Sequence, residues 1–268
     1  MAINNFLLKK FQKMNNLYVI FCQTTHLPYV ECDEETYDDQ IFAFTSEEKA
    51  KAMMTDYLAE KKLSLGYANL SKAQIIPFIG SLYGFGVNTV VLCEEDSIKI
   101  EVEQLAKKPD IEKMRNDKIP RINPEVQLTC MNFLQNIRRK DVERSKVQQM
   151  ELHDQEEEMA VNLFRTRFII GIDISANGGK LDKEHPNFKL PFAKLPNGKT
   201  YTPCFTDFTE YQKFAGRNKT LKLSLITVKY DDLEKFTKQT EGIVVNPAGF
   251  NLVLSSQLIA NLKKNYGE

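Results

Sequence analysis

The chain has 268 residues, of which 42% are hydrophobic and 27% are charged. This length suits two domains of roughly 100 to 130 residues, each large enough to bury a core. No run approaches the roughly 18 to 20 apolar residues of a membrane span, and the start of the chain lacks the continuous apolar core of a signal peptide. We therefore expect a cytoplasmic protein with no membrane association.

The formal charge is zero overall but is unevenly distributed along the chain. Residues 1–108 carry 11 basic and 15 acidic side chains, residues 109–159 carry 9 and 11, and residues 160–268 carry 16 and 10. The excess of positive charge in the last segment is scattered, whereas a nucleic-acid interface needs a clustered basic face. Nucleic-acid binding is therefore not expected.

The cysteines and histidines show no spacing typical of a metal site or a disulfide framework. They are Cys22, Cys32, Cys93, Cys130, Cys204, His26, His153 and His185. Cys22 is close to His26 in the sequence, but it falls in a predicted buried strand, where a thiol is normally part of the core. We expect no catalytic residue, no metal and no cofactor.

Residues 1–108 predict a first small module of strands and helices. Its predicted strands cover residues 17–23, 41–44, 63–65, 85–92 and 98–102, which are apolar, β-branched or alternating runs. Two helix starts have the spacing of a capping box, in which an acid or amide lies three residues after the cap. They are Thr45 with Glu48 and Ser71 with Gln74.

Residues 109–158 predict a charged helical connector, because no Gly or Pro occurs from residue 125 to residue 170. Asn123 and Pro124 are typical of a helix start. One continuous helix of about 40 residues would be about 60 Å long. Alternatively, a new helix begins after Asp154, which has Glu157 at capping distance. The sequence leaves both alternatives open.

Residues 159–268 predict a second module with the same order of elements. Its predicted strands cover residues 168–174, 201–205, 221–225, 243–246 and 250–254, and a closing helix begins near Ser256. Asp207 with Glu210, and Asp231 with Glu234, again have capping-box spacing.

A constant offset of 158 relates the two modules over residues 63–88. The identical pairs are Leu63/Leu221, Leu65/Leu223, Phe78/Phe236, Gly84/Gly242, Val87/Val245 and Asn88/Asn246. Because a repeat of this kind indicates a duplicated fold, we predict two tandem copies of one small α/β module. Each copy has a mixed β-sheet with packed helices, in the manner of an α+β fold.

Several motifs of the second module resemble the N-terminal domain of the SseB family, the enhanced serine sensitivity proteins. The motifs are Leu190-Pro191-Phe192, Asn197-Gly198, Pro203-Cys204-Phe205-Thr206-Asp207, Gly242-Ile243-Val244-Val245-Asn246-Pro247 and Leu252-Val253-Leu254. The first module resembles a diverged copy, with Thr89 where the family pattern has Pro. The resemblance implies the fold and no catalytic mechanism.

The turn at Asn246, Pro247 and Gly249 is the best candidate for a ligand-facing loop, although turn geometry alone also favours these residue types. The loops after the first strands differ in charge: Glu31, Asp33, Glu34, Glu35, Asp38 and Asp39 in one module, and Lys180, Lys183, Lys189, Lys194 and Lys199 in the other. One hypothesis is that these loops orient the modules or neighbouring molecules.

The sequence thus predicts a non-enzymatic protein-interaction or regulatory module with an unknown protein partner. The alternative is a small-molecule sensor that binds its ligand in a groove between the modules. The oligomeric state stays open, as does the question of whether both modules share one function.

Overall fold

The computed structural model describes residues 4–139, 143–175, 189–218 and 223–267. Its internal contacts divide the chain into two compact units, neither of which is one continuous stretch of sequence. Unit 1 runs to Ile111 and includes Gln127–Gln155, whereas unit 2 consists of Glu112–Val126 and Glu156–Glu268. The module limits at residues 108 and 159 stay a prediction.

Unit 1 is built on a seven-stranded mixed sheet. Its elements are α1 (Asn5–Lys13), β1 (Asn16–Cys22), β2 (Leu27–Pro28), β3 (Glu31–Cys32), β4 (Asp39–Phe44), α2 (Glu47–Lys61), β5 (Leu65–Ser71), α3 (Lys72–Ser81), β6 (Thr89–Cys93) and β7 (Ser97–Glu101). The main strand order is β5-β1-β4-β6-β7, in which β4 and β6 are parallel and the other pairs are antiparallel. The short strands β2 and β3 pair with β1 and β4.

Three separate helices occupy the predicted connector: α4 (Ile111–Asn116), α5 (Pro124–Ile137) and α6 (Lys146–Arg165). One continuous helix is therefore not formed. Asp154 lies inside α6, so the prediction that it caps a new helix is wrong. Ser145 has that role, because its Oγ accepts from the Gln148 N–H at 3.2 Å while the Ser145 N–H donates to Gln148 Oε1 at 3.0 Å.

Unit 2 contains a six-stranded mixed sheet. Its further elements are β8 (Arg167–Asp173), β9 (Ala193–Lys194), β10 (Thr200–Phe205), α7 (Phe208–Arg217), β11 (Leu223–Lys229), β12 (Gly242–Val245), β13 (Leu252–Ser255) and α8 (Ser256–Tyr266). The main order is β11-β8-β10-β12-β13, with β10 and β12 parallel and the other pairs antiparallel. A 3-10 helix, Tyr230–Phe236, precedes β12.

The mixed α/β fold class is confirmed, and the two main sheet paths share strand order and strand directions. The offset of 158 correctly relates the first residues of β5 and β11. It fails further on, because Asn88 precedes β6 whereas Asn246 follows β12. The same offset places Thr89 at the position of Pro247, and this comparison fails for the same reason. That the modules are tandem copies stays a prediction.

Two of the four predicted helix caps are confirmed. Ser71 caps α3, and its N–H donates to Gln74 Oε1 at 3.0 Å. Asp207 caps α7, where its Oδ1 accepts from the Glu210 N–H at 3.0 Å. Each cap satisfies a backbone N–H group that has no partner within its own helix.

The other two cap predictions are wrong. The cap of α2 is Ser46, one residue after Thr45, and its side chain accepts from the Lys49 N–H. Asp231 lies within the 3-10 helix Tyr230–Phe236, whose N-cap is Lys229. The tighter 3-10 turn follows β11 directly and leaves no capping position at Asp231.

Each unit packs a core against its sheet. In unit 1, one cluster contains Ile20, Cys22, Tyr29, Phe44, Ala50, Leu63 and Leu65. In unit 2, Ile169, Phe205 and Phe214 form a cluster against which Ile119 packs. The Phe208 N–H also donates to the Pro120 carbonyl at 2.7 Å. These contacts explain why the short segment Glu112–Val126 belongs to unit 2.

Gly242 begins β12 with a φ of 151°, and a Cβ there would lie 2.2 Å from the Leu254 carbonyl oxygen. We expect Gly242→Ala to lower the free energy of unfolding by about 2–4 kcal/mol, because backbone rather than a flexible side chain must move. Denaturant unfolding of the full chain measures the change.

Gly216 supplies the matched control, because it lies in α7 and its added Cβ would meet nothing within 4 Å. Gly216→Ala should raise stability by up to about 1 kcal/mol, the difference in helix propensity. Equal effects of the two substitutions would contradict the assignment of strain to Gly242.

Candidate functional site

The predicted turn lies where the parallel strands β10 and β12 end. Asn246 is fully buried and has a left-handed φ of 49°. Its backbone N–H donates to the Cys204 carbonyl at 2.8 Å, and its carbonyl accepts from the N–H groups of Gly249 and Asn251 at 2.9 and 3.0 Å. Asparagine tolerates the left-handed region better than most residues, so this position suits it.

The Asn246 side chain joins the two strand ends. Its Oδ1 accepts from the Thr206 N–H at 3.0 Å, and its Nδ2 donates to Thr206 Oγ1 at 2.9 Å. All four polar groups of Asn246 therefore have partners within the protein. The side chain that made this turn a candidate ligand loop is engaged in holding the fold.

The hydrogen-bond network continues into the start of α7. The Thr206 hydroxyl donates to Asp207 Oδ2 at 2.8 Å, and Asp207 caps the helix. Glu210, one turn later, is 1% exposed and forms an ion pair with Lys213 Nζ. A connected network of this kind specifies one arrangement of the turn because each buried polar group depends on its neighbours.

Gly249 packs directly on this network, since an added Cβ would lie 2.5 Å from Glu210 Oε2. Pro247 is partly buried within the turn. The structure thus brings the three predicted residues together at one edge of the sheet. Their role towards a ligand stays a prediction, whereas their role in the fold is visible in these contacts.

The corresponding edge of unit 1 uses charged side chains. Lys49 Nζ donates to the Glu94 carbonyl at 2.5 Å, and Lys10 Nζ pairs with Glu94 Oε2 at 2.6 Å. Glu94 directly follows β6, as Asn246 follows β12. The two units therefore close the ends of their parallel strands with different chemistry.

The acidic segment of unit 1, which begins at Glu31, makes hydrogen bonds and ion pairs with the surrounding structure. Glu31 accepts from the hydroxyls of Tyr29 and Tyr57 at 3.0 and 2.9 Å and pairs with Lys61 at 3.0 Å. Burial, together with the Glu31 charge, raises the pKa of both tyrosines. Both hydroxyls therefore remain donors at neutral pH.

Asp33 of the same segment pairs with Lys99 at 2.6 Å, and this hydrogen bond holds the pKa of the Asp33 carboxyl well below its usual range. The hypothesis that oppositely charged loops orient the modules also involves Lys180 and Lys183 of the second module. Both lie outside the described residues, as does His185. The proposed role of these loops in orienting modules stays a prediction.

The five cysteines form no disulfide with one another, and Cys22, Cys130 and Cys204 are buried. Burial raises the pKa of the Cys130 and Cys204 thiols well above the usual range, which keeps them protonated. In the described part of the chain, no group of three or more His, Cys, Asp or Glu side chains is arranged to hold a metal ion. No helix among the described residues is long and apolar enough to cross a membrane.

Two open grooves in unit 2 lie away from the predicted turn. The first, which we call the aromatic groove, has a volume of about 370 Å³ and is lined by Phe164, Tyr230 and Tyr266 together with Arg165, Lys229 and Lys263. The second, the arginine groove, has a volume of about 500 Å³ and is lined by Arg115, Arg165 and Arg167 together with Asn123, Glu125 and Thr166.

Sequence reasoning missed both grooves, because their residues come from distant parts of the chain. Arg115 and Arg165 are 50 positions apart, and Phe164 and Tyr266 are 102 positions apart. No local motif connects them. The one available signal was the positive excess of residues 160–268, which gave no position for a site.

These features define the class of protein: a mixed α/β protein whose C-terminal segment carries the motif-bearing sheet and its buried Asn246 turn. Within this segment, residues 143–261 match the model of the SseB protein N-terminal domain. The resemblance read from the sequence is therefore confirmed for this part of the chain. No curated protein matches the chain.

Two solved structures are similar over most of the chain at low identity. One is the protein-transport protein Tic22 from Anabaena. It is 11% identical with a TM-score of 0.23, and the match covers 89% of this chain and 90% of that chain. The other is Tic22 from Plasmodium falciparum, with 11% identity, a TM-score of 0.23 and 98% coverage of both chains. At these TM-scores the similarity supports no functional argument.

We expect Asn246→Gly to destabilise the protein by about 2 kcal/mol, because it removes the amide that joins β10 and β12 but keeps the left-handed backbone accessible. Asn246→Ala should cost about 1 kcal/mol more, since alanine adds strain at positive φ. Denaturant unfolding of both variants measures these differences.

A double-mutant cycle with Thr206→Val isolates the contact between the two side chains. The coupling energy should be about 1–2 kcal/mol, as for buried residues in one hydrogen-bond network. Additive effects would show that the bond from Asn246 Nδ2 to Thr206 Oγ1 contributes no stability, since the bond from the Thr206 N–H to Asn246 Oδ1 persists in Thr206→Val.

Proposed function

We propose that the protein is a non-enzymatic interaction module of the cytoplasm, and that unit 2 binds an acidic segment of a partner protein in the aromatic groove. The observation that carries this proposal is the combination of aromatic side chains with exposed lysines in that groove. An aromatic surface buries an apolar side chain of the partner, while the lysines attract its carboxylates.

Phe164 and Tyr266 are partly exposed in the groove, whereas Tyr230 is buried beneath them and packs against Phe164. The rings of Phe164 and Tyr230 meet edge to face with centroids 4.6 Å apart, and the Tyr230 hydroxyl donates to the Ile259 carbonyl at 3.1 Å. The Tyr266 hydroxyl donates to Glu156 Oε2 at 3.1 Å, and burial raises the pKa of Tyr266 to about 12. Rigid aromatic residues bind with little loss of conformational entropy.

The lysines of the groove are available to a partner. Lys229 is exposed and makes no ion pair within the described part of the chain, and Lys263 pairs with Asp231 at 2.6 Å. Both members of that pair are more than half exposed. Exposed ion pairs contribute little stability, so a partner carboxylate can replace Asp231 at low cost.

The state of the thiols supports both the absence of catalysis and the proposed compartment. The raised pKa of Cys130 and Cys204 disfavours the thiolate that a cysteine nucleophile requires. The five cysteines are all unpaired with one another. Free thiols in this number fit a reducing compartment.

A pull-down from the source cells with the full chain tests the proposal. The combined substitution Lys229→Glu and Lys263→Glu should release the partner, because it reverses two charges of the groove. Affinity measured with the recovered partner should fall at least about tenfold, which corresponds to about 1.4 kcal/mol.

The control is the combined substitution Lys238→Glu and Lys264→Glu, which makes the same charge change at two exposed positions outside the groove. Retention of the partner by the control variant alone supports the proposal that the partner binds in the aromatic groove. Equal retention by both variants contradicts it. Absence of any partner, together with a thermal shift from a metabolite panel, would favour the alternative of a small-molecule sensor.

A further inference from the structure

The arginine groove of unit 2 is lined by three arginines from three separate elements. Arg115 belongs to α4, Arg165 is the last residue of α6, and Arg167 is the first residue of β8. The groove also contains one acidic residue, Glu125, so its lining has a clear positive excess.

The existing bonds of the arginines leave most of their donors available. Arg115 Nη1 donates to Glu125 Oε1 at 2.8 Å, and Arg167 Nη2 donates to the Asp117 carbonyl at 2.8 Å. Arg165 is exposed and makes no hydrogen bond or ion pair with any described residue. Since each guanidinium has five N–H donors, the groove retains a large capacity to donate hydrogen bonds.

Buried polar residues fix the floor of the groove. Asn123 and Thr166 are each 5% exposed, and Asn123 Nδ2 donates to Thr166 Oγ1 at 3.2 Å. The Thr166 hydroxyl in turn donates to the Asn162 carbonyl at 2.8 Å. These bonds hold the segment Glu112–Val126 against the junction of α6 and β8, which positions Arg115 relative to Arg165 and Arg167.

We propose that the arginine groove binds a small phosphate-bearing anion. Guanidinium groups bind phosphate oxygens in pairs through their planar arrangement of donors. Three arginines on separate elements suit a tetrahedral group with at least three oxygens, which a single carboxylate does not offer. The Arg115–Glu125 pair is exposed and therefore weak, so a phosphate displaces Glu125 from Arg115.

Arg165 distinguishes ligand binding from a purely structural role of the cluster. Arg115 and Arg167 bond to residues of Glu112–Val126 and so stabilise unit 2 in any case. Arg165 bonds to nothing in the described chain, and its removal leaves those contacts in place. A substitution of Arg165 can therefore lower the affinity for an anion without lowering the stability of unit 2.

Isothermal titration of the full chain with inorganic pyrophosphate at low ionic strength tests the site, with acetate as the carboxylate comparison. Pyrophosphate should bind at a one-to-one ratio and acetate at least about tenfold more weakly. Arg165→Gln should weaken pyrophosphate binding about tenfold, the size expected for a charge-assisted hydrogen bond. Glu125→Gln should strengthen it, because the competing carboxylate is removed.

Arg217→Gln is the matched control, since Arg217 is an exposed arginine of unit 2 that does not line the groove. It should leave pyrophosphate affinity within about twofold of the unsubstituted protein. Three results would overturn the proposal: no pyrophosphate binding, an equal loss from Arg165→Gln and Arg217→Gln, or weaker binding by Glu125→Gln. Unfolding curves of each variant confirm that the fold is retained.

Discussion

The parallel pairing of β10 with β12 is the constraint on which the structure of unit 2 depends. A parallel pair cannot be joined by a tight turn, so α7, β11 and the 3-10 helix Tyr230–Phe236 lie between the two strands. Both strands then end at the same edge of the sheet. Thr206 and Asn246, the residues that follow them, meet there and share two hydrogen bonds. The cap of α7 at Asp207 depends on this contact, because the Thr206 hydroxyl bonds to its carboxylate.

Internal hydrogen bonds close this edge of the sheet, and the binding sites proposed for unit 2 lie elsewhere. In many open α/β sheets the ends of parallel strands receive the ligand. Here the polar groups of Asn246 are engaged, and Gly249 lies against Glu210. The accessible polar and aromatic groups lie elsewhere, around the end of α6 and the end of α8. Arg165, the last residue of α6, lines both grooves there.

The sequence predicted strands such as β1, β8 and β10 well because buried strands are continuous apolar runs, whereas the strand predicted at residues 63–65 overlaps β5 (Leu65–Ser71) at one residue only. Strand β1 begins one residue before its predicted start, and α8 begins at Ser256 as predicted. Errors arose where a 3-10 helix changed the length of a connection. The helix Leu82–Phe85 and the left-handed Gly86 delay β6 until Thr89, so the offset that aligned Asn88 with Asn246 failed.

The candidate site was less predictable than the fold, for a physical reason. The turn at Asn246 was found because its residue types report local backbone geometry. The two grooves depend on tertiary contacts, such as the bond between Asn123 and Thr166 across 43 positions. Local patterns carry no information on such contacts, and a single sequence offers no covarying pairs to supply it.

The opposite charges of the two segments have different structural meanings. In unit 1, acidic residues serve the fold: Glu31 binds Tyr29, Tyr57 and Lys61, while Asp33 binds Lys99. In unit 2, Arg165 and Lys229 line grooves without ion pairs among the described residues. A charged side chain that has no ion pair within the protein forms a new one when a charged ligand binds. This new contact offsets the free-energy cost of removing water from the side chain. Net charge by segment gives no position for a site, whereas the pairing of individual charges supports the proposal that the binding sites lie in unit 2.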